Sequence, residues 1–217
     1  VDMGLTQLMP TASAVTGQLA DGLLVPSQYY MFVNQEGNRF VNEYAERDTL
    51  AAAALSQTDG VFYHIADQAM IPTLQNMATQ EDVDAMVEKG IMYKADTLEE
   101  LAEMIGCPAE NLIASVEKYN SYVDAGEDPD FGKNVFGTKI ETAPYYAVIE
   151  KPSVHHTMGG VQINTDAQVL NENGEVIEGL FAAGEVTGGI HAGNRLGGNA
   201  IADCMVFGRI AGANAAK

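Results

Sequence analysis

"GEVTGGIHAGNRLGGNAIAD", residues 184–203, decides how this chain is read. Glycine recurs throughout it, and a residue without Cβ lets a backbone approach something flat or charged and adopt positive φ. Asn199 suits the N-cap of a helix over 200–213. A helix starting there turns unpaired N–H groups and a positive dipole end toward a ligand. Immediately upstream, "GLFAAGE" (179–185) reads as a short buried strand ending in Glu185. That acid is placed to accept from ribose or ribityl hydroxyls, with a solvated loop acid as the alternative. Arg195, a planar guanidinium among glycines, suits bidentate capture of a carboxylate or phosphate, with a structural surface arginine as its alternative.

Two histidines, His155 and His156, precede Thr157-Met158-Gly159-Gly160. No further ligands stand at helical or hairpin spacing, so no metal site is expected. A histidine donating to a bound anion competes there with a satisfied core histidine. The dinucleotide fingerprint G-x-G-x-x-G, a Walker A loop and a G-x-S-x-G elbow are all absent from the sequence. The residues alone therefore describe an anion- and polyol-binding half-site without its phosphate-binding partner.

Charge divides the 217 residues unevenly. Residues 1–150 hold 24 Asp/Glu against 7 Lys/Arg, whereas residues 151–217 hold 6 against 4 and carry 12 of the 22 glycines. The overall charge of −19 repels phosphate backbones and argues against a nucleic-acid partner. No run of 18 uncharged apolar residues exists to span a membrane. Cys107 and Cys204, far apart and outside any CxxC pattern, read as unrelated buried thiols. Opening at Val1 with "VDMGLTQLMP", the chain reads as though entered in mid-protein, so a targeting segment could lie upstream.

In the acidic part, "YYMFVNQEGNRFVNEY" (29–44) is a hairpin candidate turning at Gln35–Asn38. "AERDTLAAAALSQ" turns helical and "GVFYHIAD" is a short strand. Thr97 and Glu100 form a capping box for a helix that Gly106 and Pro108 end. A second helix follows, with Leu112, Val116, Tyr119 and Val123 on one face and Gly126 as terminator. Residues 127–139 read as a polar surface loop. Beyond Pro144, "YYAVIEKPSV" is a strand broken by "HHTMGG", and a β-meander turns at Asn173-Gly174. The boundary between the two parts is expected near residue 150.

"VHHTMGG", "GLFAAGEVTGGIHAGNRLGGNAIADC" and "FGRIAGA" resemble the C-terminal signature of the fumarate reductase and succinate dehydrogenase flavoprotein family. The likeness is closest to its soluble flavocytochrome-type branch of fumarate-, urocanate- and methacrylate-type reductases. "GNRFVNEYAERD" and the helical stretch from Tyr93 to Gly132 resemble that branch as well, so the likeness covers essentially the whole chain. It implies an α+β fold: a capping domain of mixed strands and helices over residues 1–150, then the β-meander, strand and helix of a Rossmann-like FAD domain over 151–217. The G-x-G-x-x-G part of such a domain would lie upstream, making this chain a fragment that by itself binds FAD weakly or not at all.

The resemblance also implies roles. Arg47 in "AERD" matches the family's proton donor, although an arginine is a poor acid in water; in a buried site its charge also stabilises the developing anion. His155 and Arg195 match the groups that clamp the substrate carboxylate, and Gly198 lines that pocket. His156, Glu185, Ala200 and Ile201 match flavin contacts, the last two through backbone N–H groups. The implied reaction is hydride transfer from flavin N5 to an α,β-unsaturated acid, with electrons from a donor domain or protein. Two departures bear on the substrate. Met9-Pro10-Thr11 stands where fumarate-reducing members have His-Pro-Thr. "QLADGLLVPSQ", with Asp21 its only ionisable group, stands where they have Thr-Glu and a nearby Arg. Losing a donor to a buried carboxylate costs about 1.5–3 kcal/mol, so one carboxylate and an apolar or aromatic second end are expected. A flavin-dependent ketosteroid-type dehydrogenase shares the C-terminal signature, and a non-catalytic module binding a small anion or a partner protein is the rival outside enzymes.

Overall fold

The computed structural model describes residues 1–18, 25–75 and 78–217. It forms two units: residues 9–153, and residues 1–8 together with 154–217. The boundary read from the sequence lay near 150, with all earlier residues in one module. The structure moves it to 153/154 and gives the first eight residues to the second unit.

A strand buried along its whole length needs a covered face on each side, and the larger unit supplies both. Its strands are β1 (Thr6–Ser13), β2 (Met31–Asn34), β3 (Phe62–Asp67), β4 (Met92–Ala95) and β5 (Tyr145–Thr157), in the sheet order β1-β5-β3-β2 with β4 also on β5. Its helices are α1 (Arg47–Leu55), α2 (Gln80–Glu88), α3 (Leu98–Ile105) and α4 (Ala109–Ala125). Every residue of β3 is buried, because β2 and β5 flank it and helices cover both faces. The period of two sorts its side chains. Phe62 and Ala66 join Phe32, Leu50, Ala54 and Val83 on the α1/α2 side. Tyr63 and Ile65 join Met31, Leu101, Leu112, Val116 and Tyr119 on the α3/α4 side.

The expected helices are present, with differences at their ends. Thr97 caps α3 by accepting from Glu100 N, but Glu100 reaches back to Asp96 N, one residue short of a reciprocal box. The reciprocal box belongs instead to Thr79 and Asp82 at α2. Gly126 ends α4 at φ +73°. The hairpin is tighter than expected: Asn34 and Asn38 close the turn, and the returning arm contributes a single bridge, Val33 to Arg39. The polar stretch after Gly126 is no mere surface loop, since Asp128 and Lys133 are buried.

In the smaller unit, β5 continues through His155, His156 and Thr157 rather than breaking before them. β6 (Val161–Gln162) pairs in parallel with β9 (Thr187–Gly188), while β7 (Gln168–Leu170) and β8 (Val176–Phe181) make the expected hairpin around Gly174. The strand expected to be buried before Glu185 is β8, and it is exposed along most of its length. α5 (Asn199–Ala215) follows the glycine-rich run; its N-cap is Gly198 at φ +89°, not Asn199, and no side chain caps it. Only Asp203 of α5 is buried. Cys107 is buried and Cys204 exposed, so the pair is unrelated but only one thiol lies in a core.

Several glycines of the signature serve the chain's own backbone. A Cβ on Gly160 would lie 2.1 Å from the Val186 carbonyl oxygen, one on Gly159 2.4 Å from that of Asp2, and one on Gly188 2.5 Å from Gly160 N. Gly193, by contrast, would meet only the Leu5 side chain, at 3.9 Å. Gly160→Ala is therefore expected to destabilise the protein by more than the ~1–3 kcal/mol typical of overpacking, and Gly193→Ala by far less. Urea unfolding of the two variants side by side checks this.

Candidate functional site

In the larger unit, β1 and the first turn of α1 meet across a cavity of about 300 Å³. Met9, Pro10 and Thr11 line it from β1, Val25 and Pro26 from the following segment, Tyr44 from the turn before α1, and Arg47 and Leu50 from the start of α1. Met9 and Arg47 thus line one cavity; Asp21 lies outside the described residues. Arg47 is half-buried in the first turn of α1, and its N-cap, Glu46, makes no side-chain cap. A cation at the positive end of a helix dipole costs about 0.3–1 kcal/mol, so local stability does not account for this arginine. The rest of the wall mixes Ala45 with the polar side chains of Ser27, Tyr30, Glu43 and Gln75.

A buried charge network holds that wall. Glu43 Oε1 accepts from Phe32 N at 3.1 Å and from Arg39 Nε at 2.7 Å, and Oε2 accepts from Arg39 Nη2 at 2.8 Å. Lys133 Nζ lies 3.2 Å from Glu43 Oε2 and donates to the carbonyls of Ser27 and Tyr30 and to Tyr119 Oη. Arg39 Nη2 also pairs with Asp128 Oδ2 at 2.8 Å. Ser27, Tyr30 and Glu43 line the Arg47 cavity, so the network fixes its floor. Burial lowers the Lys133 ammonium from its ordinary value, against the pull of Glu43. Burial pushes Asp128 up, but Arg39 and backbone N–H groups hold it below the usual carboxylate range.

The smaller unit carries the other set. His156, at the end of β5, is buried with Nδ1 3.4 Å from Glu185 Oε2. Glu185 Oε1 accepts from Thr157 N at 2.8 Å and from Thr157 Oγ1 at 3.2 Å. The His156 ring stands edge-on to His191 at 5.4 Å, and His191 Nε2 lies 3.3 Å from Asp203 Oδ2. Arg195 is buried, its Nη1 donating to the Leu196 carbonyl at 3.3 Å. Gln7 Nε2 donates to Asn194 Oδ1 at 2.9 Å and to the Arg195 carbonyl at 2.7 Å. Among the described residues, His156 Nε2 and Arg195 Nε are buried without a hydrogen-bond partner. Leaving such groups unpaired costs about 1–3 kcal/mol each, and two of them beside one turn point to partner atoms supplied by a ligand.

His155 is exposed, as are Gly198 and Ile201, while Ala200 is half-buried. Ile201 N already donates to the Gly198 carbonyl at 3.0 Å, so of the two expected backbone donors only Ala200 is not so engaged. Gln7, His191 and Asp203 escaped the sequence reading. His191 lies inside the opening stretch and Asp203 closes it, four residues past Asn199. Nothing local marks Gln7. Among the described residues no cluster of His, Cys, Asp and Glu could hold a metal ion.

The FAD binding domain family matches residues 1–201, and the chain belongs to it. Its relatives include the NADH:acrylate oxidoreductase of Vibrio harveyi, 52% identical over 215 residues, which are 99% of this chain and 21% of that protein. The fumarate reductase (cytochrome) of Shewanella frigidimarina is 43% identical over 216 residues, 100% of this chain and 37% of that one. The open conformation of a flavocytochrome c3 fumarate reductase superposes with a TM-score of 0.83 at 41% identity, again over 100% of this chain and 37% of the other. The chain thus spans between a fifth and two fifths of the length of these relatives, and the resemblance read from its motifs is borne out.

Two outcomes are expected. Glu43→Gln should destabilise the fold by about 3–5 kcal/mol, the range for breaking a buried ion pair, measured by denaturant midpoint. Burial pushes His156 below its ordinary 6.5, with Glu185 opposing and Arg195 adding to the shift. The unfolded chain then takes up this proton at a higher pH than the folded one, so stability falls as pH drops below about 6.5. His156→Gln should flatten that part of the stability–pH curve.

Proposed function

We propose that this chain supplies the substrate cavity and the C-terminal part of the flavin site of an FAD-dependent reductase acting on a small α,β-unsaturated monocarboxylate. The observation that carries the reading is the buried pair of unpartnered nitrogens, His156 Nε2 and Arg195 Nε, beside an open glycine-rich turn. His156, Glu185 and the Ala200 N–H would hold the flavin, which fits a buried unpartnered ring nitrogen and a carboxylate that Thr157 anchors while its side chain stays half-exposed. When bound, that group supplies the hydride.

The protein's own residues do the rest. Arg195, with His155, binds the substrate carboxylate and orients the double bond. Gly198 leaves room for it. Arg47 delivers the proton to the α-carbon and offsets the negative charge that develops there. Met9, on the wall of the Arg47 cavity, offers no donor to a second carboxylate. An acid with an apolar or very small second end is thereby favoured, and the acrylate-reducing relative has such a substrate in its name. Electrons reach the flavin from a donor domain or protein outside these residues. Ketosteroid desaturation needs no carboxylate clamp, so Arg195 weighs against it. A non-catalytic anion-binding module leaves Arg47 in its cavity unexplained.

The test is steady-state turnover of the flavin-loaded full-length reductase of which these residues form part. Arg47→Lys should lower kcat by about 10²–10⁴-fold, the range for removing a general acid, with flavin content unchanged. Met9→His should improve the KM for fumarate relative to acrylate by about tenfold or more, as expected for a donor regained by a carboxylate. Full turnover in Arg47→Lys overturns the mechanism, and an unshifted preference in Met9→His overturns the substrate class.

A further inference from the structure

Arg195 sits in a stretch with almost no backbone support. From Ile190 to Arg195 the only backbone group that makes a hydrogen bond among the described residues is the Arg195 carbonyl, and Gln7 provides it. Gln7 is 3% exposed and comes from β1, 188 residues earlier in the chain. Its orientation is fixed by chemistry: the Arg195 carbonyl can only accept, so the Gln7 atom 2.7 Å away is the amide nitrogen. The same nitrogen gives its second hydrogen to Asn194 Oδ1. One amide group thus holds two consecutive residues of an otherwise unbraced turn. Among the described residues the guanidinium itself is tied only through Nη1, to the carbonyl of the next residue, and its Nε is left for a ligand.

We infer that Gln7 is a positioning residue: by pinning the Arg195 carbonyl and the Asn194 side chain it holds the Arg195 guanidinium at the angle a carboxylate needs. Bidentate capture by a planar fork depends on that angle, so a turn free to swing lowers affinity for the acid before it alters the chemistry of the reduction. The inference rests on the proposed function for Arg195, but the position of the side chain can be read without it.

The experiment compares the unchanged protein with Gln7→Leu, which keeps the volume and loses both hydrogen bonds. The protein has four arginines, so side-chain Nε–H NMR gives four signals, assignable from single Arg→Lys variants. In Gln7→Leu the Arg195 signal is expected to shift and sharpen while that of Arg39 stays put. In the flavin-loaded protein, the KM for the unsaturated acid and the Kd for propanoate, read from the flavin absorbance, should rise about tenfold. The kcat should stay within about twofold. Asn194→Ala, at an exposed position, removes one of the two bonds and should give a smaller change of the same kind; it decides the matter if Gln7→Leu fails to fold. An unmoved Arg195 signal overturns the positioning role. A moved signal with unchanged carboxylate affinity leaves Gln7 in place and overturns the clamp role of Arg195 instead.

Discussion

Much of the larger unit hangs on one carboxylate. Glu43 is fully buried and takes hydrogen bonds from a strand N–H and a bidentate guanidinium, with an ammonium close by, and those partners come from β2, the hairpin arm and the segment after α4. Taking these charges out of water costs several kcal/mol per ion, and the attraction repays it only when every lone pair is used. Such an arrangement resists partial loosening. Either all members are in place, or a buried charge is stranded. For a cavity whose floor includes Ser27, Tyr30 and Glu43, this means a geometry set by electrostatics more than by the packing of the apolar side chains beside them.

The smaller unit works by a different economy of interactions. Its glycine signature brings three segments of backbone, around residues 2, 160 and 186, within contact distances that no side chain allows. The same run then leaves its far end loosely packed: among the described residues a Cβ on Gly193 would meet only Leu5, at 3.9 Å, and one on Gly198 nothing within 4 Å. One motif therefore combines internal knitting with an open face. The apolar residues on that face, including Leu196 and Ile201, are more than two-thirds exposed.

Legibility in the sequence followed the range of the interaction. α3 and α4 were readable because their caps and apolar faces are local, and so was the turn at Gly174. Met9, Arg47, Glu185 and Arg195 could be named because they stand in motifs. The role of residues 127–133 was not readable. Asp128 and Lys133 look like ordinary loop charges, and only Arg39 and Glu43, some ninety residues away, reveal them as buried. Gln7 was hidden for the same reason, its partners lying at the other end of the chain. The N-cap of α5 was misread because Asn199 has the right chemistry, while the left-handed geometry that starts the helix falls on Gly198.

The larger unit is continuous in sequence, whereas the smaller one is assembled from residues on either side of it. The chain enters the larger unit along β1 and leaves along β5, which are hydrogen-bonded neighbours in one sheet. A segment whose entry and exit lie side by side can be exchanged as a cassette without disturbing the frame that receives it. In this protein the cassette carries Met9 and Arg47, while the frame carries Glu185 and Arg195. Recombination at two neighbouring strands could therefore replace the cavity wall while leaving the glycine-rich turn untouched. Lineages built on this plan can diversify by swapping cassettes as well as by accumulating point changes.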